Sequence, residues 1–266
     1  MHQKLKVLLA AILLAQVGLS VAGFEEGKAA FLARDYAKAL KEFEPLANAG
    51  DIQAQHLLGM MYDEGQGIPQ NYSKAAEWYT KAGNQGHQDA QYNLGVMYAQ
   101  AQGVPQNDEE SFKWFEKAAK QGHILSQFAL GRLYTVGRGV KADGKLANDW
   151  YRKAAEKHHF KAQLALGKNY LDGNGIKKDV TEAEKWIRKS AEQGHHKAQY
   201  EMGLLYRDGV AVKKDAKLAY MWLDLAGKQD HIGAQQAREE LAKKMRAEDI
   251  AAAKLLVASW QPTQPK

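Results

Sequence analysis

Apolar and polar positions along this chain recur with a fixed spacing. Trp78, Trp114, Trp150, Trp186 and Trp222 stand 36 residues apart without an insertion. Tyr62, Tyr98, Tyr134, Tyr170 and Tyr206 keep the same period, as do Gly59, Gly95, Gly131, Gly167 and Gly203, and Gln91, Gln127, Gln163, Gln199 and Gln235. A period of this length marks a repeat architecture in which each unit is one supersecondary element. Within a unit, Ala54, Leu57 or Leu58, Met61 and Tyr62 recur at helical spacing, and Gly65-Gln66-Gly67 stops the pattern as a C-cap glycine does. Asn71, Asn107, Asp143, Asp179 and Asp215 stand where a second helix must begin, each offering a side-chain oxygen to free backbone N–H groups. Asn107 with Glu110 and Asp179 with Glu182 add capping-box spacing. The second helix carries Ala75, Trp78, Tyr79 and Ala82 inward and ends at Gly86, with Gly122 and Gly194 as equivalents. Each unit is therefore predicted to be a short αα-hairpin.

One hairpin cannot bury a tryptophan alone, whereas stacked hairpins let each Trp fill the space against its neighbour. Burying a Trp removes about 150–250 Å² from water, so the five are expected to dominate the core. The fold class expected is all-α, an α/α solenoid of five 36-residue helix pairs over residues 51–235. Residues 24–50 lack the Gly-x-Gly loop and should form the N-terminal capping pair. Helical patterns at 232–245 and 248–260 supply C-terminal capping helices over 236–260, before a tail at 261–266.

Composition is globular, at 45% hydrophobic against 26% charged residues, and the absence of cysteine excludes disulfides, zinc–thiolate sites and thiol nucleophiles. Residues 1–23 read as a secretory signal, because Lys4 and Lys6 precede an apolar run from Val7 to Leu14 and small residues follow at Ser20 to Gly23. Gln16 and Gly18 interrupt that run well short of the roughly 20 residues a spanning helix needs. Cleavage is expected after Ala22 or Gly23, giving a periplasmic or secreted protein without a membrane span.

The units resemble Sel-one-like repeats (SLR), relatives of the tetratricopeptide repeat. Leu130-Gly131, Tyr134, Gly137-Arg138-Gly139-Val140, Trp150-Tyr151, Lys153-Ala154-Ala155 and Ala162-Gln163 show the pattern almost complete. The resemblance covers residues 51–235, implies a right-handed superhelix, and makes the hairpin at 24–50 similar to an ordinary tetratricopeptide unit. Departures are local: Ala101, Ala211, His158 and Asp230 replace loop glycines, and those loops are expected to bend differently.

By the same resemblance the concave surface is lined by residues two before, two after and five after the repeat leucine. The first set is His56, Tyr92, Phe128, Leu164 and Tyr200, and the second is Met60, Val96, Arg132, Lys168 and Leu204. The third includes Arg207 and, with Arg132, Lys161, Lys168 and Lys197, makes the C-terminal half of this groove basic. Aromatic side chains beside arginine are what a protein-binding hot spot requires; the structural alternative is that Tyr92, Phe128 and Tyr200 pack between helices. The expected partner is a protein or peptide, the chain itself being a monomer.

Chemistry offers less. His87, His123, His159, His195 and His231 share one register position, but no carboxylate or third histidine follows at a fixed offset, so the set reads as turn chemistry rather than a metal ladder. No metal or cofactor is expected. The Gly-x-Gly loops do not continue as phosphate-binding motifs, and Gly-x-Ser-x-Gly, His-Glu-x-x-His and Ser-x-x-Lys are all absent. The formal charge of +6 is a mild excess spread over helix faces, and nucleic acid is not the expected ligand. Resembled proteins include envelope scaffolds, virulence factors and immunity proteins to secreted toxins, which implies a non-enzymatic adaptor. The alternatives are an envelope polysaccharide-binding module, taking an anionic glycan, and more remotely a penicillin-binding or penicillin-hydrolysing enzyme.

Overall fold

A computed structural model describes residues 22–263, and the predicted leader, up to residue 21, lies outside the described residues. All regular structure described is helical. Helical residues 22–32 (α1) and Tyr36–Asn48 (α2) precede the repeats. The helix pairs then follow as α3 (Ile52–Glu64) with α4 (Tyr72–Asn84), and α5 (Gln88–Gln100) with α6 (Asp108–Lys120). Next come α7 (Ile124–Val136) with α8 (Gly144–Glu156), α9 (Phe160–Asp172) with α10 (Val180–Glu192), and α11 (His196–Asp208) with α12 (Ala216–Gly227). Two further helices, α13 (Ile232–Ala242) and α14 (Ala247–Ser259), end the chain. The described chain forms two compact units that divide after His123. The first holds the N-terminal hairpin and two repeats, the second three repeats and the closing helices.

Each second helix begins where the side-chain oxygens predicted it. Asn71 accepts from the Lys74 N–H at 3.0 Å, Asn107 from Glu110 at 3.0 Å and Asp143 from Leu146 at 2.9 Å. Asp179 and Asp215 each accept from two N–H groups in the first turn. Such caps satisfy donors that no helical carbonyl can reach.

The two helices of a hairpin meet at the glycine of the first. A Cβ on Gly131 would lie 2.4 Å from the Tyr151 ring, and Gly59, Gly95, Gly167 and Gly203 meet Tyr79, Phe115, Ile187 and Leu223 equally closely. The residue following each tryptophan, rather than the tryptophan, thus fills the hairpin's own core. Each Trp serves the neighbouring junction: Trp114 packs with Ala75, Ala76 and Tyr79, and Trp186 with Ala147, Tyr151 and Ala154. The expected core of five tryptophans is corrected accordingly. Trp114, Trp186 and Trp222 are buried, but Trp78 and Trp150 are only half-buried.

A lysine three residues on lies over the outer face of the ring, Lys81 on Trp78 at 3.6 Å, Lys117 on Trp114 at 3.7 Å and Lys153 on Trp150 at 4.0 Å. These lysines roof the indole. In the last repeat Leu225 takes the lysine's place, because α14 covers that face with Val257 and sets Trp260 edge-on against Trp222. That substitution of an apolar for a charged side chain is what makes α14 a cap.

Glutamine provides the polar seam between repeats. Gln91 donates to the Gly83 carbonyl at 2.8 Å and accepts from Gln121 at 2.7 Å; Gln163 with Gln193 and Gln199 with Gln229 repeat the arrangement. At these three junctions the buried amides end the preceding helix and pair with each other.

The loops lacking glycine keep the left-handed turn, with φ lower at His158 and Asp230 (62°) than at the equivalent Gly86 (99°). Ala101 has φ 57° where Gly65 has 69°, and Ala211, His158 and Asp230 likewise keep positive φ at 61–62°. Packing of the helices fixes the turn and the side chain tolerates the left-handed conformation, which costs roughly 1 kcal/mol for a residue with a Cβ. Ala101 and Ala211 are exposed, so glycine there loses no contact. Ala101→Gly and Ala211→Gly are each expected to raise stability by about 0.5–1 kcal/mol, read as a higher urea midpoint at unchanged slope.

Candidate functional site

The first helix of each repeat presents two different stripes, and the repeat glycine divides them. Positions 56 and 63 lie three before and four after Gly59, so they share its stripe and face the second helix of the same hairpin. The His56 ring lies 5.8 Å from Tyr79, Tyr92 5.6 Å from Phe115 and Phe128 5.8 Å from Tyr151. Position 63 completes the contact: Tyr79 Oη donates to Asp63 at 3.2 Å, and Thr135 pairs with the Tyr151 hydroxyl at 3.1 Å.

The same residues support the capping histidines. His56 stacks on His87 with centroids 4.1 Å apart, Tyr92 approaches His123 at 5.0 Å, Phe128 approaches His159 at 4.7 Å and Tyr200 stacks on His231 at 4.5 Å. Nδ1 of His87, His159 and His231 accepts from the N–H of Ala90, Ala162 and Ala234 at 3.1–3.3 Å, so these histidines are helix N-caps. His195 differs, placing Nδ1 3.3 Å from Ser190 Oγ. Burial holds His159 down to about 4, aided by Lys161, and holds His195 and His56 at about 4 as well, aided by His196 and His87 respectively.

The placement divides the residues expected to line a groove. His56 and Leu164 are buried and offer little surface, while Tyr92, Phe128 and Tyr200 are half-buried on the hairpin and histidine rings. The second set points away from the glycine stripe. Arg132 and Lys168 are exposed, and Met60, Val96 and Leu204 are half-buried, Met60 against the core that includes Leu94. Of the basic residues, Lys168 is paired with Glu201 at 2.6 Å and Arg207 with Asp208 at 2.7 Å, whereas Arg132, Lys161 and Lys197 have no carboxylate within ion-pair distance among the described residues.

Two residues on the outward stripe escaped the sequence reading. Leu125 and Val136, seven before and four after Arg132, are 43% and 69% exposed. Helical periodicity alone places them with Arg132; what hides them is that apolar residues are normally assigned to the core.

The family model described as Sel1 repeat matches residues 52–87, 88–123, 124–159, 160–195 and 196–231 in succession. A Sel1 repeat protein from Oxalobacter formigenes is 31% identical, covering 89% of this chain and 98% of its own, with a TM-score of 0.79. A protective antigen of uropathogenic Escherichia coli strains, displaying an SLR fold, is 27% identical over 92% of this chain and 69% of its own, with a TM-score of 0.45. An immunity protein from Pseudomonas aeruginosa is 19% identical over 90% of this chain and 88% of its own, also with a TM-score of 0.45. No curated protein matches the sequence significantly.

Proposed function

The chain belongs to the Sel1 repeat family, and from that premise we propose that it is a non-enzymatic adaptor that binds another protein through the outward stripe of its first helices. The observation that carries the reading is the division of labour between positions. Residues repeated in every unit, such as the glycines, capping histidines and seam glutamines, are consumed by packing. The outward stripe differs from repeat to repeat and leaves Leu125, Arg132, Val136, Lys161 and Lys168 exposed in the second unit. Apolar side chains beside Arg132 and Lys161, which have no carboxylate within ion-pair distance among the described residues, suit an acidic partner with an apolar anchor. Sel1 repeat proteins serve generally as protein-interaction modules, and an immunity or envelope-scaffold role fits the same surface. No helix of the described residues is long and apolar enough to cross a membrane. Export to the periplasm or beyond is part of the proposal and rests on Lys4, Lys6 and the apolar run after them.

Quantitative affinity capture from the periplasmic fraction tests the proposal. Chain recovered there should begin near Gly23 or Phe24. Arg132→Glu with Lys168→Glu should deplete the specific partner at least tenfold at low salt and less at high salt, because screening removes the attraction that reversal destroys. Equal capture by both forms at every salt concentration would rule out this surface.

A further inference from the structure

The first repeat junction is built differently from the others. Two positions before the repeat leucine, the later repeats carry Tyr92, Phe128, Leu164 and Tyr200, but the first carries His56. Two positions after the capping histidine, the later junctions carry Leu125, Lys161, Lys197 and Gly233, but the first carries Asp89. Together these exceptions bring one donor atom each from His56, His87 and Asp89 within 4.8 Å of one another. His56 is only 9% exposed, and its imidazole makes no hydrogen bond among the described residues, although its ring lies flat against His87 at an interplanar angle of 21°.

We propose that His56, His87 and Asp89 bind one divalent ion of the zinc class. Two imidazoles and a carboxylate form the donor set of an open zinc site, whose fourth position is left to water or to a partner's side chain. Bonds of about 2.1 Å in tetrahedral geometry set ligand atoms about 3.4 Å apart, so donors now within 4.8 Å of one another must close by up to about 1.4 Å. Side-chain rotation supplies that movement, the stacked rings tilting until their lone pairs converge. Nε2 of His87 now contacts Gln53 Oε1 at 3.2 Å, and Nδ1 holds only a 3.3 Å bond from the Ala90 N–H. The ion takes Nε2 in place of Gln53, the ring proton moves to Nδ1, and the long capping bond is given up. Asp89 also lies 3.2 Å from Nε2 of His123, which orients the carboxylate from outside the site. Because His56 belongs to α3 and Asp89 to α5, the ion clamps the first repeat to the second.

Chain stripped with chelator and titrated with zinc chloride tests the site by calorimetry and by thermal unfolding. Saturable binding of one equivalent is expected, with a melting temperature that rises with zinc by mass action, and magnesium chloride should do neither. His56→Leu, which copies Leu164 of the same register, and Asp89→Asn, at a largely exposed carboxylate, should each weaken zinc at least tenfold. His195→Ala with His196→Ala should leave it unchanged. No saturable binding by about 100 µM zinc overturns the proposal, as does wild-type affinity in either ligand variant or loss of binding in the His195/His196 variant. If His56→Leu does not fold, Asp89→Asn decides.

Discussion

Gly131→Val is expected to destabilise the protein by about 3 kcal/mol or more and to broaden the unfolding of the repeats that contain it. The sign is what makes this informative. Glycine within an exposed helix costs about 1 kcal/mol relative to alanine, so a glycine with no packing role is improved by almost any substitution. Here even a Cβ would stand 2.4 Å from Cδ1 and Cε1 of Tyr151, and the branched side chain adds two methyl groups in the same gap. Tyr151 is buried, with its hydroxyl held by Thr135, so the ring cannot swing aside without losing that bond. The helices α7 and α8 must separate. Gly131→Ala should cost about 1–3 kcal/mol on the same reasoning, and Tyr151→Ala in that background should recover part of it by vacating the space. Urea unfolding decides the matter; stability equal to or above wild type in Gly131→Ala would show that the two helices do not meet there.

Acidification from pH 7 to 4.5 is expected to remove about 2–4 kcal/mol of stability, well before most carboxylates titrate. His159 and His195 are held at about 4 in the folded chain by burial, then by Lys161 beside the first and by His196, Lys161 and Lys197 beside the second. Unfolded, each returns to about 6.5. The unfolded chain therefore binds protons first, so the contribution is fully present above about pH 6.5, is lost as pH falls through the interval, and loses nothing further below about 4. The range allows for the part of each ring that stays in water. Protonation also converts the Nδ1 of His159 from an acceptor of the Ala162 N–H into a donor and sets a positive charge at the N-terminus of α9, where the helix dipole opposes it. His159→Asn with His195→Asn keeps short polar caps that do not titrate, and the melting temperature of that variant should fall less than that of wild type between pH 7 and 4.5, the remaining fall coming from His56. A wild-type melting temperature independent of pH over this range would mean that neither ring is buried as described.

Periodicity made the hairpins legible, because the capping oxygens, the stop glycines and the aromatic positions are local and repeat in step. The partition of burial was harder to read. Tryptophan and the residue after it look equally apolar, yet only Tyr79, Phe115, Tyr151, Ile187 and Leu223 lie over the glycine, while Trp78 and Trp150 stay half-exposed under lysines. One register of seam glutamines was visible in the repeat, but its pairing with Gln121 and Gln193 depends on stacked neighbours that no local pattern reveals. The groove assignment took residues two before the leucine as lining a surface. Counting from the glycine rather than from the leucine puts His56, Tyr92 and Phe128 on the helix-facing stripe, and their ring contacts follow. His56 and Asp89 belong to different repeats, and only folding brings them to the same imidazole.

Site-specific photocrosslinking in living cells tests most directly whether the outward stripe of the first helices receives a partner. A photoreactive amino acid replaces Arg132 or Val136 on that stripe, or Lys153 or Lys189, whose amines lie over Trp150 and Trp186 on the second helices. The account predicts the same discrete protein adduct from positions 132 and 136 and none from 153 and 189. An adduct from 153 and 189 alone would place the partner on the opposite helices and contradict it.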